Sequence, residues 1–345
     1  MNRRTVLKAA GAQIALFAGL ASGAIAEERV LRVLTWEGYN DEKWVKAFEA
    51  ETGAKVSITY VYSVDEITAK MTASKGQDYD VLAIETSSYK RLIEQGLIQP
   101  LDRAKIPNLA NLLPPMQNLR ALNVDGKLYG VPYAWGSVPL IYAKAAFPTP
   151  PDSWSIMWDE RYRGKVIVLD DANNNVVTMA LALGLPDPFN LTDEQFAQIK
   201  AKLLEVKRNV VTYYAGFDEG ASIFAQGGID LMAAMAEPQV KMIKSKGVDV
   251  GLVIPKERAI GWFDCWAITA GARDMDLAYA WIDFFTRKEV GAALSATHEY
   301  GNSVDQAANE AIGLDYADRL TFLDAPEDFA KRVNLWNEVK ATPVQ

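Results

Sequence analysis

The chain has 345 residues, half of them hydrophobic and 23% charged, which is enough to bury more than one core. Its formal net charge is -8, and the first 26 residues contribute only the cations Arg3, Arg4 and Lys8, so the remainder is more acidic than the whole and argues against nucleic acid and anionic membrane as partners. The single cysteine, Cys265, excludes an internal disulfide, and the single histidine, His298, leaves a Ser/His/Asp triad or a histidine-rich metal site short of parts.

The chain opens with a targeting pattern. Arg3-Arg4 and Lys8 form a basic start, Ala9 to Leu20 is apolar, and Ala24-Ile25-Ala26 is a small-x-small cleavage site before Glu27. Residues 1–26 therefore read as a signal peptide, and Asn2 to Lys8 resembles a twin-arginine export signal, with general secretion as the other route. The apolar run is short for a bilayer span, and none later is long enough.

Val30 to Trp36 reads as a strand, and Asn40 or Asp41 as the cap of a helix ending at Gly53. Lys55 to Tyr62 is a second strand, and Ser63 to Glu66 is a capping box opening a helix that Gly76 ends. Tyr79 to Ile84 is a third strand, followed by a helix through Leu92 to Gly96. This alternation predicts a mostly parallel sheet flanked by helices, with ligands bound beyond the carboxyl ends of the strands, where Trp36, Glu37, Tyr39, Glu85 and Ser87 fall. Gly126 to Tyr133 reads as a hairpin leading to Trp135-Gly136-Ser137, and Gly164 to Asp171 as a strand delivering acids at its end. Thr192 to Gln195 caps a helix running to about Arg208, and Val210 to Tyr214 and Asp230 to Met235 are strands of a second α/β lobe.

Gly261 to Ile268 carries one acid, Asp264, among aromatics. As a strand it sets Trp262, Asp264 and Trp266 on one face. A carboxylate framed by indoles suits a cationic ligand; a core strand with a capped acid is the plainer reading. Beyond Ile268 the pattern is helical, with faces marked by Leu277, Trp281 and Phe284 and, at the end, by Phe329, Leu335 and Trp336. The expected fold is α/β and two-lobed. Residues 27–137 with about 263–308 form the first lobe, 138–262 with about 309–345 the second, and a ligand cleft lies between them.

Asp170 to Asn175 imitates a calcium loop but has Val176 where glycine is needed and Ala182 where the bidentate acid belongs, so calcium is rejected and a helix cap by Asn173 or Asn174 expected. Cys265 has no histidine near it in sequence and reads as a buried apolar residue. His298 reads as a surface or helix-end residue.

Several stretches in order resemble the periplasmic spermidine- and putrescine-binding proteins of ATP-driven importers. They include Thr35-Trp36-Glu37-Gly38-Tyr39, Gly96 to Asp102, Tyr129 to Gly136, Leu169-Asp170-Asp171 and Val250 through Asp264. The resemblance spans nearly the whole chain after the signal. It implies a periplasmic solute-binding subunit of an ABC importer with a hinged, two-lobed cleft, a small cationic amine as ligand, a membrane permease as partner, a monomeric state, no cofactor and no enzymatic activity. It implies ligand contacts at Trp36, Tyr39, Asp171, Trp262, Asp264 and Tyr300. The chain departs from the pattern at Asn174, where an acid is usual, at Met235, where an aromatic is usual, and at Ser87; Glu37 and Glu85 add acids. A different amine-bearing solute, such as an amino-acid derivative or an opine-like compound, stays open. So do a sensor module and an exported enzyme.

Overall fold

The computed structural model describes residues 29–61 and 64–343. The expected signal peptide and the capping box at Ser63 lie outside the described residues.

The first half alternates as expected: β1 (Val30–Trp36), α1 (Glu42–Thr52), β2 (Lys55–Val61), α2 (Val64–Ser74), β3 (Val81–Glu85) and α3 (Tyr89–Glu94). Gly53 ends α1 in the left-handed conformation, φ 67°, which glycine adopts without a Cβ clash. A tight hairpin of β4 (Asn123–Val124) and β5 (Lys127–Leu128) turns through Asp125 and Gly126, both at positive φ. Next come β6 (Val131–Val138), β7 (Leu140–Ala143), β8 (Val166–Leu169), α4 (Ala172–Ala182), α5 (Asp193–Lys207) and β9 (Val210–Tyr214). The chain continues through α6 (Phe217–Ala225), β10 (Leu231–Ala233), α7 (Pro238–Ser245), β11 (Val250–Val253) and β12 (Ala259–Ile268). It ends with α8 (Met275–Phe285), α9 (Lys288–His298), β13 (Gly301–Asn302), α10 (Gln306–Ala311), β14 (Leu320–Phe322) and α11 (Phe329–Ala341).

These strands build two larger sheets. The first has the order β13-β6-β12-β3-β1-β2, with β14 also paired to β12; the second has the order β11-β7-β10-β8-β9. Both sheets mix the two directions, and in the first β14 also runs parallel to β12. β1 runs parallel to β2 and β3, whereas β12 is antiparallel to β3 and β6. β8 runs parallel to β9 and β10, whereas β7 is antiparallel to β10 and β11. The local alternation forecast the parallel halves. The antiparallel pairs of these two sheets all involve β6, β7 or β12, which enter their sheets by connections other than a helical crossover.

The chain crosses between the sheets three times. Pro139 alone separates β6 from β7, residues 254–258 lead from β11 back to β12, and residues 323–328 lead from β14 to α11, which packs on α4 and α5. Two stretches assigned to the second lobe by sequence, residues 259–262 and Leu320–Phe322, pair in the first sheet.

Local signals were met unevenly. Thr192 and Gln195 form the full capping box of α5. Asp41 precedes α1 but caps nothing with its side chain, because its carboxylate takes His298 Nε2 at 2.9 Å. Asp171, rather than Asn173 or Asn174, caps α4. Phe329 is exposed; Leu335 and Trp336 of the same helix are buried. Trp266 shares the Asp264 face of β12 but lies deeper, fully covered by Trp281 and Phe285 of α8. A buried ion pair fastens β1 to its neighbours: Asp80, wholly inaccessible, accepts from Arg32 Nη2 at 2.6 Å, Arg32 Nε at 3.0 Å and the Arg273 amide at 2.7 Å.

Candidate ligand-binding cleft

A cleft of about 550 Å³ opens between the two sheets. The first sheet supplies Trp36 and Glu85 from the carboxyl ends of β1 and β3, Glu37 and Tyr39 from the turn after β1, and Trp262 and Asp264 from β12. Tyr300 comes from the turn before β13, and Phe217 and Met235 close the opposite side from α6 and the segment after β10.

Asp264 lies at the bottom, 8% exposed. The Tyr39 hydroxyl donates a short hydrogen bond to its Oδ2, and the Tyr133 hydroxyl donates to the Tyr39 carbonyl at 2.9 Å, which fixes that turn. Burial pushes the Asp264 carboxyl up to about 6, against the Tyr39 hydroxyl and the nearby Trp36 indole, which favour the charged form. Trp36 Nε1 is itself buried and completes no hydrogen bond.

Glu85 stands directly opposite Asp264 in the β3–β12 pairing. Directly opposed like charges work against a strand pair. Burial, then the charge of Asp264, push the Glu85 carboxyl up to about 7; Ser87 Oγ, 3.1 Å from Glu85 Oε1, opposes this, and Asp171 adds a smaller repulsion. Two enclosed carboxyls at this spacing titrate as a pair and hold protons as neutrality is approached from below. A cation placed between them removes both the repulsion and part of the desolvation cost.

The walls are aromatic. Tyr300 meets Trp262 and Tyr39 edge-to-face, each at 5.8 Å. His298, the last residue of α9, stacks behind Tyr300 at 6.5 Å and is held by Asp41, so it backs the wall and does not reach into the cleft.

Of the residues singled out in the sequence, Trp36, Glu37, Tyr39, Glu85, Met235, Trp262, Asp264 and Tyr300 line the cleft, Glu37 at an exposed position. Ser87, Asp171 and Asn174 do not. Ser87 acts on Glu85, and Asp171 accepts from the Asn174 amide at 2.7 Å as the cap of α4. Phe217 was not foreseen: the first residue of a helix that packs its other apolar side chains inward carries no local mark of a ligand wall, and only its 38% exposure reveals it. Among the described residues, no three His, Cys, Asp or Glu side chains gather as metal ligands, and no helix is long and apolar enough to cross a membrane.

The family profile of bacterial extracellular solute-binding proteins matches residues 43–318. The chain is a member of that family. This solute-binding protein is 29% identical over 299 residues to the spermidine/putrescine-binding periplasmic protein of Escherichia coli, covering 85% of this chain and 82% of that one. It is 28% identical over 308 residues to a putrescine/agmatine-binding protein of Pseudomonas aeruginosa, covering 84% and 82%. In fold it resembles the crystal structure of a spermidine/putrescine ABC transporter substrate-binding protein from Streptococcus pneumoniae, with a TM-score of 0.78 at 20% identity, over 91% of this chain and 99% of that one. The two-lobed α/β architecture expected from the sequence is thus the architecture of the solute-binding protein.

Proposed function

We propose that this protein captures a small cationic amine of the polyamine class in the periplasm and delivers it to the membrane permease of an ABC importer. The observation that carries the reading is the opposed Glu85–Asp264 pair, enclosed by Trp36, Tyr39, Trp262 and Tyr300. An ammonium seated there gains charge-assisted hydrogen bonds from the carboxylates and cation–π attraction from the rings. The binding residues hold and orient; they perform no reaction. Both lobes touch the ligand, so its contacts favour the closed arrangement and shift the population toward it, which is the form a permease would receive. The protein acts as a monomer after export and removal of residues 1–26. The relatives named for spermidine, putrescine and agmatine support this ligand class.

A second reading is another amine-bearing solute with the same anchor. Met235 favours it, since a thioether on the second wall offers an adaptable surface without a ring face for a second cation.

Native mass spectrometry of the purified protein, followed by calorimetry with putrescine, tests the proposal. Asp264→Asn is expected to weaken binding by about 2–5 kcal/mol, as for one partner removed from an enclosed charge pair. Unchanged affinity in a variant that folds normally would remove Asp264 as the anchor.

A further inference from the structure

Beside the cleft runs a groove of about 580 Å³ between the lobes. One bank is α7, which packs on α6 and β11 and buries Ile243 among the apolar side chains of the second sheet. The other bank is formed by Glu299, Tyr316 and the residues after α10, next to the first sheet. Two side chains one helical turn apart reach across from α7. Glu237, at the N-cap position, accepts on Oε1 from the Ser137 amide at 2.7 Å, the Ser137 hydroxyl at 2.6 Å and the Tyr316 hydroxyl at 2.8 Å. Lys241 Nζ donates to Glu299 Oε1 at 2.8 Å.

The two ties differ in kind. Ser137 stands two residues before Pro139, whose carbonyl accepts from the Ala234 amide at 3.0 Å, so the Glu237 tie belongs to the crossing itself. The Lys241–Glu299 tie is a lone ion pair. Lys241 keeps 76% and Glu299 48% of its side-chain surface exposed, so salt screens the attraction. Its position gives it leverage on the cleft. Glu299 ends α9 in the left-handed conformation, φ 60°, which disfavours a residue with a Cβ, and it directly precedes Tyr300 of the aromatic wall. On the other bank, the segment leading into α7 carries Met235 and Ala236 of the facing wall. Attraction between Lys241 and Glu299 therefore draws one wall of the cleft toward the other.

We propose that the Lys241–Glu299 pair is an ionic clasp between the lobes, which favours the enclosed cleft and so positions Tyr300 and Met235 for the ligand without touching it. A weak pair suits that task. A clasp stronger than the ligand's own contacts would hold the cleft shut with nothing inside, whereas a screened pair biases the lobes and still yields for release. The effect on ligand affinity rests on the reading of the cleft as an amine site; the effect on the ligand-free lobes does not.

The test exchanges the charges. Lys241→Glu, Glu299→Lys and the double variant are compared with the unmodified mature protein, by calorimetry with putrescine and by small-angle X-ray scattering without ligand. Each single reversal is expected to weaken putrescine about threefold or more and to enlarge the radius of gyration of the ligand-free protein. The double variant restores an opposite pair and is expected to bring affinity back to within about twofold and the radius of gyration back with it. Lys241→Glu separates the clasp from plain electrostatics. It makes the surroundings of a cation site more negative, so charge attraction alone would strengthen binding; stronger or unchanged binding would overturn the clasp. A double variant as weak as the single ones would overturn it too. Should the reversals fail to fold, scattering from the unmodified ligand-free protein at about 0.02 M and about 1 M salt decides, because the pair is screened at the higher concentration. An unchanged radius of gyration would then overturn the proposal. If putrescine does not bind the unmodified protein, the amine reading fails, and the scattering comparison alone decides the clasp.

Discussion

Raising the pH from 5 to 8 probes the opposed acids directly, because a ligand ammonium, like that of lysine, stays charged throughout. Burial pushes the Asp264 carboxyl up to about 6 and that of Glu85 up to about 7, both above their ordinary values. The folded protein therefore binds protons that the unfolded chain releases. The stability these groups contribute is fully present below about pH 4 and is lost as the pH rises through 6 and 7. Ligand binding has the opposite sign, since an ammonium favours the ionised carboxylates and expels their protons. If Asp264 alone must ionise, affinity falls about tenfold from pH 8 to pH 5; if Glu85 must ionise as well, the fall is on the order of a thousandfold. Putrescine titrations at each pH give the affinities, and repeating them in buffers of different ionisation enthalpy counts the protons released. Constant affinity over this range, with no protons released at pH 6, would refute the claim that the ligand sits between the two carboxyls.

Trp36→Ala removes one ring of the site and is expected to cost roughly 1–3 kcal/mol of binding from lost packing and cation–π contact. Calorimetry gives the cost, and an unchanged affinity would return Trp36 to the ordinary core. Asp80→Asn breaks the buried pair with Arg32 and is expected to lower folding stability by about 3–5 kcal/mol in chemical denaturation. Putrescine affinity of the folded variant should stay within about twofold, because Asp80 lines no part of the cleft; a larger change would mean that the pair shapes the site.

Much of this was readable from the chain because the cues were local. Strand–helix alternation gave the parallel half of the first sheet, and one short strand brought Trp262 and Asp264 to one surface. The opposition of Glu85 and Asp264 was not readable, since it depends on the register of two strands distant in sequence. Consecutive acids misled in the other direction. The resemblance implies a ligand contact at Asp171, but Asp171 caps α4, while its neighbour Asp170 binds the Trp336 indole at 2.6 Å and Lys340 at 2.7 Å.

The three crossings between the sheets are unequal as mechanical parts. Pro139 is a single residue with a ring-locked φ, whereas the other two connections run through five and six residues. A pair of bodies joined this way swings about its shortest tether, and displacement grows with the lever arm. Ser137 lies two residues from that tether, whereas Phe217 on α6 belongs to the opposite wall of the cleft. The apolar wall of Phe217 and Met235 is carried with the second sheet, so a swing about Pro139 opens and closes the side of the cleft opposite Asp264.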